Sequence, residues 1–117
     1  MKQLTLTIPE KAVTIGSAIG LADTFVTRLF GLLGRNGLDP GSGILIRPSS
    51  GVHTMFMRFP IDVVGLDKRL RVLKVWRRLP AWRITSVSFT IHSMLELAPG
   101  QIDHCRIEPG DQLAIAD

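Results

Sequence analysis

Short alternating segments, each ended by proline or glycine, constrain the fold of this chain more than any other feature. Leu4, Leu6 and Ile8 alternate with polar residues until Pro9, which is the pattern of a half-buried strand. Seven prolines and eleven glycines divide the rest of the chain into similar pieces, so no long element is possible. Strand-like patterns cover residues 12–22, 44–46, 52–66, 71–79, 83–97 and 112–116, and the pattern over 52–66 is either one long strand or two strands broken at Pro60. The sequence predicts a mainly β fold, a compact antiparallel β-sandwich or barrel-like domain.

One short helix is predicted in addition to the strands. Asp23 or Thr24 can cap a segment in which apolar residues recur at helical spacing from 25 to 32, and Gly34 ends it. With 117 residues and 45% hydrophobic content, the chain fits a single domain, 1–117, with a modest core. The sequence contains no repeat or linker that would divide it.

The composition limits the location of the protein and its chemistry. No apolar run approaches the roughly 18–20 residues that span a bilayer, and the N-terminus lacks the pattern of a signal peptide, so we expect a cytoplasmic protein without a transmembrane segment. Cys105 is the only cysteine, which excludes an intrachain disulfide and a cysteine-based zinc site. We interpret Cys105 as a small buried side chain.

Positive charge is concentrated in one part of the chain. Seven of the fourteen basic residues lie between Lys68 and Arg83, and no acidic residue occurs between Asp67 and Glu96. Such a field attracts an anionic surface, whether nucleic acid, an acidic protein or lipid headgroups. The side chains that we expect to contact it are those of Arg77, Arg78, Trp82 and Arg83. The alternative is a solvated hairpin whose long side chains protect an exposed edge, and it is preferred because basic runs are common on ordinary surfaces.

The stretch from Gly51 to Asp67, GVHTMFMRFPIDVVGLD, sets chemically active side chains in an apolar background. On an extended strand His53, Met55 and Met57 share one face, and an imidazole with two thioethers could bind a soft metal such as copper(I). Methionine is also an ordinary core residue, so we expect these side chains to line a core or pocket. No metal and no cofactor is predicted.

Asp62 lies in an apolar run beside Pro60 and is expected to be at least partly buried. A buried carboxylate needs a cation or several N–H donors. Arg28 or Arg58 is the expected partner, because a guanidinium can donate two parallel hydrogen bonds to a carboxylate. Such a pair either joins the helix to the sheet or forms a site that receives an anionic ligand.

Several separated motifs resemble one family, domain-of-unknown-function family 192, over about residues 12–115. The motifs are HTMFMRFPIDVVGLD, MLELAPG, IEPGDQL and an earlier pattern of single residues. That pattern consists of Ala22, Thr24, Arg28, Gly31, Leu32, Arg35, Leu38, Gly41, Gly43, Leu45 and Pro48. The family comprises small uncharacterised proteins of bacteria and archaea. The resemblance implies a compact β-sandwich or barrel-like fold and no established activity.

The chain departs from the family pattern at Gly65 and Leu70, and at His53 it resembles the HTxxMRFPxD variety of the family. Many members carry an aromatic residue where this chain has His53, which argues against a metal ligand there, because an indole cannot replace one. The family usually has a large apolar residue in place of Gly65, so we expect a cavity or a bulge in that strand. It usually has glycine in place of Leu70, so the hairpin after Asp67 is expected to differ.

Three functional hypotheses follow. The leading one is a non-enzymatic binding or accessory domain for a protein or a small anionic ligand, with a pocket formed by Arg28, His53, Met57, Arg58 and Asp62. The second is a hydrolase-like enzyme that uses His53 as base and Asp62 to orient it. The third is binding of nucleic acid or a membrane through residues 68–83, of which nucleic acid is possible but not favoured. No motif typical of a nucleophile, a phosphate-binding loop or a metalloprotease is present, so an enzyme is not favoured.

Overall fold

A computed structural model describes residues 1–24, 27–28, 32, 35–54, 57–85 and 88–116. Seven strands form one sheet in the order β5-β4-β6-β3-β2-β1-β7. The strands are β1 (Lys2–Ile8), β2 (Val13–Ala22), β3 (Ser42–Ile46), β4 (Ile61–Leu66), β5 (Val72–Leu79), β6 (Ser93–Leu97) and β7 (Ala114–Ala116). A 3-10 turn covers Pro9–Lys11, and the helix α1 covers Gln101–His104. The β2–β3 pair is parallel, whereas the other ladders are antiparallel.

The sheet is covered on both faces, which explains why its central strands are almost continuously apolar. All six residues of β4 and all five of β6 are buried. The first core lies on one face and contains Leu45, Leu95, Leu97 and the α1 residue Ile102. The second core lies on the opposite face and contains, among others, Ala22, Leu32, Ile44, Ile46, Met57, Ile61, Val63, Ile91 and Met94.

The sheet curls around the first core without closing into a barrel. Near one end, the backbone of Val72 accepts a hydrogen bond from Gly110 N–H (2.8 Å) and donates one to Asp111 C=O (2.8 Å). An isolated bridge joins Arg71 to Gln112 there, but β5 and β7 do not pair along their length. The predicted mainly β fold with one short helix is confirmed, but the sheet is mixed rather than antiparallel throughout, since β2 and β3 are parallel. No helix within the described ranges is long and apolar enough to cross a membrane.

The helices differ from the prediction in position. Thr24 caps a helical turn as expected, because its Oγ1 accepts a hydrogen bond from Thr27 N–H (3.1 Å) and its carbonyl accepts one from Arg28 N–H (2.9 Å). Most of the remainder of that predicted helix lies outside the described residues. The helix α1 occupies a segment for which neither a helix nor a strand was predicted. Its first turn is held by Asp62, a distant contact that the local sequence does not reveal.

Two predicted strands are shorter than expected. Among the described residues of the strand predicted over 83–97, only Ser93–Leu97 are regular, and a turn closed by Ile91 N–H and Ser88 C=O (3.2 Å) precedes them. The pattern over 52–66 is broken at Pro60, one of the two predicted alternatives: β4 begins at Ile61, and His53 forms a single bridge, to Ile84.

Gly65 and Leu70 show how the chain accommodates its departures from the family pattern. The ladder between β4 and β5 shifts register after Gly65, which confirms the predicted bulge. A Cβ at Gly65 would lie 2.8 Å from Cδ1 of Ile91, so Ile91 occupies the space that a larger side chain would need. Leu70 has φ of 64°, a conformation that favours glycine.

Candidate interaction surface

A bulge near the end of β5 turns Arg78 towards solvent. Ile61 pairs with Leu79 but Val63 pairs with Trp76, so β5 has one more residue than β4 in this interval. Arg78 adopts a left-handed conformation (φ 49°), which is uncommon for a residue with a Cβ. Its backbone N–H donates to Asp62 Oδ1 at 2.8 Å, so a buried carboxylate fixes the bulge.

Asp62 is completely buried and binds three backbone N–H groups. Besides Arg78, the donors are Gly100 (3.0 Å) and Ile102 (2.8 Å), both to Oδ2. The prediction that Arg28 or Arg58 would pair with Asp62 is wrong. Alternation along β4 places Asp62 on the face of the first core, where the start of α1 supplies the donors instead.

Thr54 fixes the chain a few residues beyond Arg78, and the sequence reasoning did not single it out. This side chain is also completely buried. Its Oγ1 accepts a hydrogen bond from Arg83 N–H (2.8 Å) and donates one to Pro80 C=O (2.6 Å). Its carbonyl accepts from Trp82 N–H (2.9 Å). Its only signal in the sequence is a hydroxyl residue in an otherwise apolar stretch.

The 78–84 segment, held by Asp62 at one end and Thr54 at the other, presents large side chains to solvent. Trp82 is 53% exposed and Ile84 is 72% exposed. Trp82 has φ of 63°, a second left-handed residue in this short segment. Arg78 and Arg83 are exposed and form no ion pair with any residue that the structure describes.

Three of the four side chains predicted to contact an anionic surface are exposed in one short segment. Arg78, Trp82 and Arg83 belong to the 78–84 segment. Arg77 instead pairs with Asp103 of α1, with 2.8 Å between Nε and Oδ1. Alternation along β5 sends Arg77 to the face of the sheet that α1 covers, which accounts for its different partner.

The carboxylate of Asp67 forms its hydrogen bonds within the hairpin of β4 and β5. Asp67 Oδ1 accepts hydrogen bonds from Arg71 N–H (2.9 Å) and Arg69 N–H (2.8 Å) and so closes the turn between β4 and β5. The hydrogen bond from Arg71 is the largest cause of a lowered pKa of Asp67. On the neighbouring strand the Lys74 ammonium lies 5.1 Å from the centre of the Trp76 ring.

The five residues predicted to form one pocket are not brought together. Arg28 donates to Pro48 C=O (3.2 Å), and Arg58 donates to Asn36 Oδ1 (2.7 Å). His53 is exposed, whereas Met57 is buried in the second core. Asp62 lies on the opposite face of the sheet from Met57.

A turn between Thr54 and Met57 explains why His53 and Met57 do not share a face. Met57 N–H donates to Thr54 C=O at 3.1 Å, a contact that residues three apart on one extended strand cannot make, so alternation does not relate Met57 to His53. Met55 lies outside the described residues. Within the described part of the chain no three His, Cys, Asp or Glu side chains are grouped to hold a metal ion.

The predicted catalytic pair of His53 and Asp62 is not formed: Asp62 is completely buried and binds three backbone N–H groups, whereas His53 is exposed. Cys105 is buried as predicted, and burial raises the pKa of its thiol. Its sulfur lies 4.0 Å from Gln101 Oε1. Neither His53 nor Cys105 is therefore arranged as part of a nucleophilic centre with these partners.

Glu96 is a second important residue that the sequence analysis did not single out. It lies on β6 and is only 5% exposed. Its neighbours across the sheet are Ile44 and Val63. Burial raises the pKa of Glu96 to about 7. We return to this carboxyl group below.

Comparisons with known proteins agree on the family and the fold. The model of the family DUF192, described as uncharacterized ACR, matches residues 6–115. A UPF0127 protein of Pyrococcus abyssi is 29% identical over 89% of this chain and 91% of its own length. A UPF0127 protein of Thermococcus sibiricus is 31% identical over 81% of this chain and 64% of its own length. A crystal structure of a protein of unknown function from Novosphingobium aromaticivorans has a TM-score of 0.80 at 18% identity, over 96% of this chain and 83% of that one.

Proposed function

The chain belongs to the DUF192 family of uncharacterised proteins, and we propose that it is a non-enzymatic binding domain for an acidic protein surface. The contact surface is the 78–84 segment. The observation that carries this proposal is the combination of Trp82, Ile84 and two exposed arginines on a backbone fixed by buried side chains.

The composition of the segment suits a protein partner. Tryptophan and arginine are the residues that most often dominate the binding energy of protein interfaces. Trp82 and Ile84 are apolar side chains left in solvent, and a partner would remove them from water. Base stacking on nucleic acid uses aromatic rings, to which the aliphatic Ile84 adds nothing.

Charge determines what kind of protein would bind. The stretch from Lys68 to Leu95 contains seven basic residues and no acidic one, and the whole chain carries +4. An acidic partner would be attracted before contact, and its carboxylates could bind the guanidinium groups of Arg78 and Arg83. Because the backbone of the segment is already fixed, little conformational entropy is lost on binding.

Selection of displayed peptides against the purified protein tests this proposal. We expect enriched peptides to combine Asp or Glu with apolar residues. Trp82→Ala and Arg83→Glu should each weaken a selected peptide about tenfold or more, since truncation at a hot spot costs about 2 kcal/mol or more. Arg106→Glu makes the same charge change at an exposed arginine outside the segment and should alter affinity less than about threefold.

Other results would reject the proposal. Enrichment of neutral or basic peptides, or equal binding by the Trp82→Ala variant, would contradict it. A third result would assign the segment to nucleic acid or membrane instead. In that case no acidic peptides are enriched, and the protein shows salt-dependent binding to single-stranded DNA or to phosphatidylserine vesicles that Arg83→Glu abolishes.

A further inference from the structure

A cleft of about 640 Å³ lies beside α1, where three separate parts of the chain meet. Its walls are the 3-10 turn, β5 and the segment that runs from α1 to residue 108. This volume lies within the range of roughly 300–1,000 Å³ that small-molecule sites occupy. Six charged residues line the cleft, three of each sign: Glu10, Lys11, Arg77, Asp103, Arg106 and Glu108.

The two cations Lys11 and Arg77 have partners within the fold. Lys11 Nζ lies 2.8 Å from Asp111 Oδ2 and 3.2 Å from Glu108 Oε1, and it also donates to the carbonyl of Arg106. These contacts use its three N–H donors and join the 3-10 turn to the segment after α1. Arg77 Nε donates to Asp103, and its two terminal nitrogens have no partner among the described residues.

Glu10 and Arg106 are the two charged groups that the fold leaves unused. Neither side chain forms a hydrogen bond or an ion pair with any residue that the structure describes. Both are exposed, and the contact of Lys11 with the Arg106 carbonyl brings the two residues to the same cleft. One unused carboxylate and one unused guanidinium therefore line it together.

The backbone at Arg106 does not favour an arginine. Ile107 N–H donates to Ile102 C=O (2.9 Å), and Arg106 N–H donates to Asp103 C=O (3.2 Å), which is the pattern that ends a helix with a left-handed residue. Arg106 is that residue, with φ of 56°, and glycine is the usual choice there. Backbone conformations of this kind are found at ligand-binding sites, where the side chain has a use.

We propose that this cleft binds a small zwitterion, a free α-amino acid with a polar side chain. The ligand carboxylate accepts hydrogen bonds from the guanidinium groups of Arg106 and Arg77, and the ligand ammonium donates to Glu10. A dicarboxylate would face three carboxylates in the cleft and a diamine would face three cations, whereas a zwitterion complements both signs. The two isoleucines of the lining, Ile102 and Ile107, are 0% and 1% exposed, so a polar ligand side chain is favoured.

Titration of the full chain with L-asparagine, followed by amide NMR shifts, tests the proposal. Two probes of similar shape serve for comparison. Succinamic acid keeps the carboxylate but lacks the ammonium, and 3-aminopropanamide keeps the ammonium but lacks the carboxylate. We expect each to bind about fivefold or more weakly than L-asparagine, because each loses an ion pair that remains in contact with water. The amide shifts should be largest at residues 10–11 and 103–108.

Two variants assign the binding to the unused charges. Arg106→Gly removes the guanidinium and suits the left-handed backbone, so it should be at least as stable as the wild type in urea yet bind L-asparagine about fivefold or more weakly. Glu10→Gln should weaken L-asparagine similarly but leave succinamic acid unchanged, since that probe has no ammonium. Lys2→Gln removes an exposed charge at the other end of β1 and should bind all probes like the wild type.

The contrary outcomes are distinct. Equal binding of L-asparagine and either comparison probe, unaltered binding by Arg106→Gly or Glu10→Gln, or no amide shift at the cleft with millimolar L-asparagine would overturn the proposal. None of these results depends on the 78–84 segment or on whether the protein binds an acidic partner.

Discussion

Asp62→Asn changes one atom of the carboxylate that joins β4, the Arg78 bulge and α1. An asparagine can keep its amide oxygen towards Gly100 and Ile102, but its NH2 group then faces the N–H of Arg78. One hydrogen bond to a charged group is lost, and the other two become neutral. Since a hydrogen bond to a charged group contributes about 1.5–3 kcal/mol, we expect the free energy of unfolding to fall by about 2–4 kcal/mol.

Urea denaturation measures this loss. The midpoint should decrease while the slope m stays unchanged, because the folded and unfolded states should expose the same surface as before. Asp39→Asn makes the same substitution at an exposed aspartate and should change the free energy of unfolding by less than about 0.5 kcal/mol. Equal losses for the two variants would refute the role assigned to Asp62.

Two further substitutions test the other buried polar side chains. Thr54→Val keeps the shape of the side chain but removes the acceptor for Arg83 N–H and the donor to Pro80 C=O. In urea denaturation the free energy of unfolding should therefore fall by about 2–4 kcal/mol, and a fall of less than about 1 kcal/mol would contradict this role of Thr54. Glu96→Gln should remove a pH dependence. Because folding raises the pKa of Glu96 from 4.5 to about 7, ionisation destabilises the wild type by about 3 kcal/mol as pH rises through that interval. The stability of Glu96→Gln relative to the wild type should therefore increase from pH 4.5 to pH 8, and a constant difference would refute the raised pKa.

Thr14→Val and Glu10→Gln provide the matched controls for these two substitutions. Thr14 lies exposed on β2, and Glu10 is exposed in the 3-10 turn. Both controls should leave stability within about 0.5 kcal/mol of the wild type, and the difference for Glu10→Gln should not follow pH as the difference for Glu96→Gln does.

Local pattern was sufficient to predict most of the sheet. Alternation in β1 and the apolar run of β3 report burial directly, since a strand shows its buried face every second residue. The burial of Asp62 was also evident from its apolar neighbours. Its partners were not, because Gly100 and Ile102 lie far along the chain and meet Asp62 only when α1 packs on β4.

The composition of the 78–84 segment was predictable, but its geometry was not. Basic residues beside Trp82 stand out in the sequence, whereas the fixed conformation depends on Thr54 and Asp62 in other strands or turns. Glu96 was not singled out for a related reason. A lone acid next to a proline-containing turn indicates a surface residue, and only the sheet order places it between β3 and β4.

Amide hydrogen exchange at Arg78 and Arg83 tests the central claim most directly, namely that buried side chains hold the 78–84 segment in one conformation. Both N–H groups belong to exposed residues yet donate to buried acceptors at 2.8 Å. We predict that both exchange slowly, at rates close to those of the core strands, and that Asp62→Asn accelerates exchange at Arg78 more than at Arg83. Exchange of both groups in the wild type at the rate of an unstructured peptide would contradict the account.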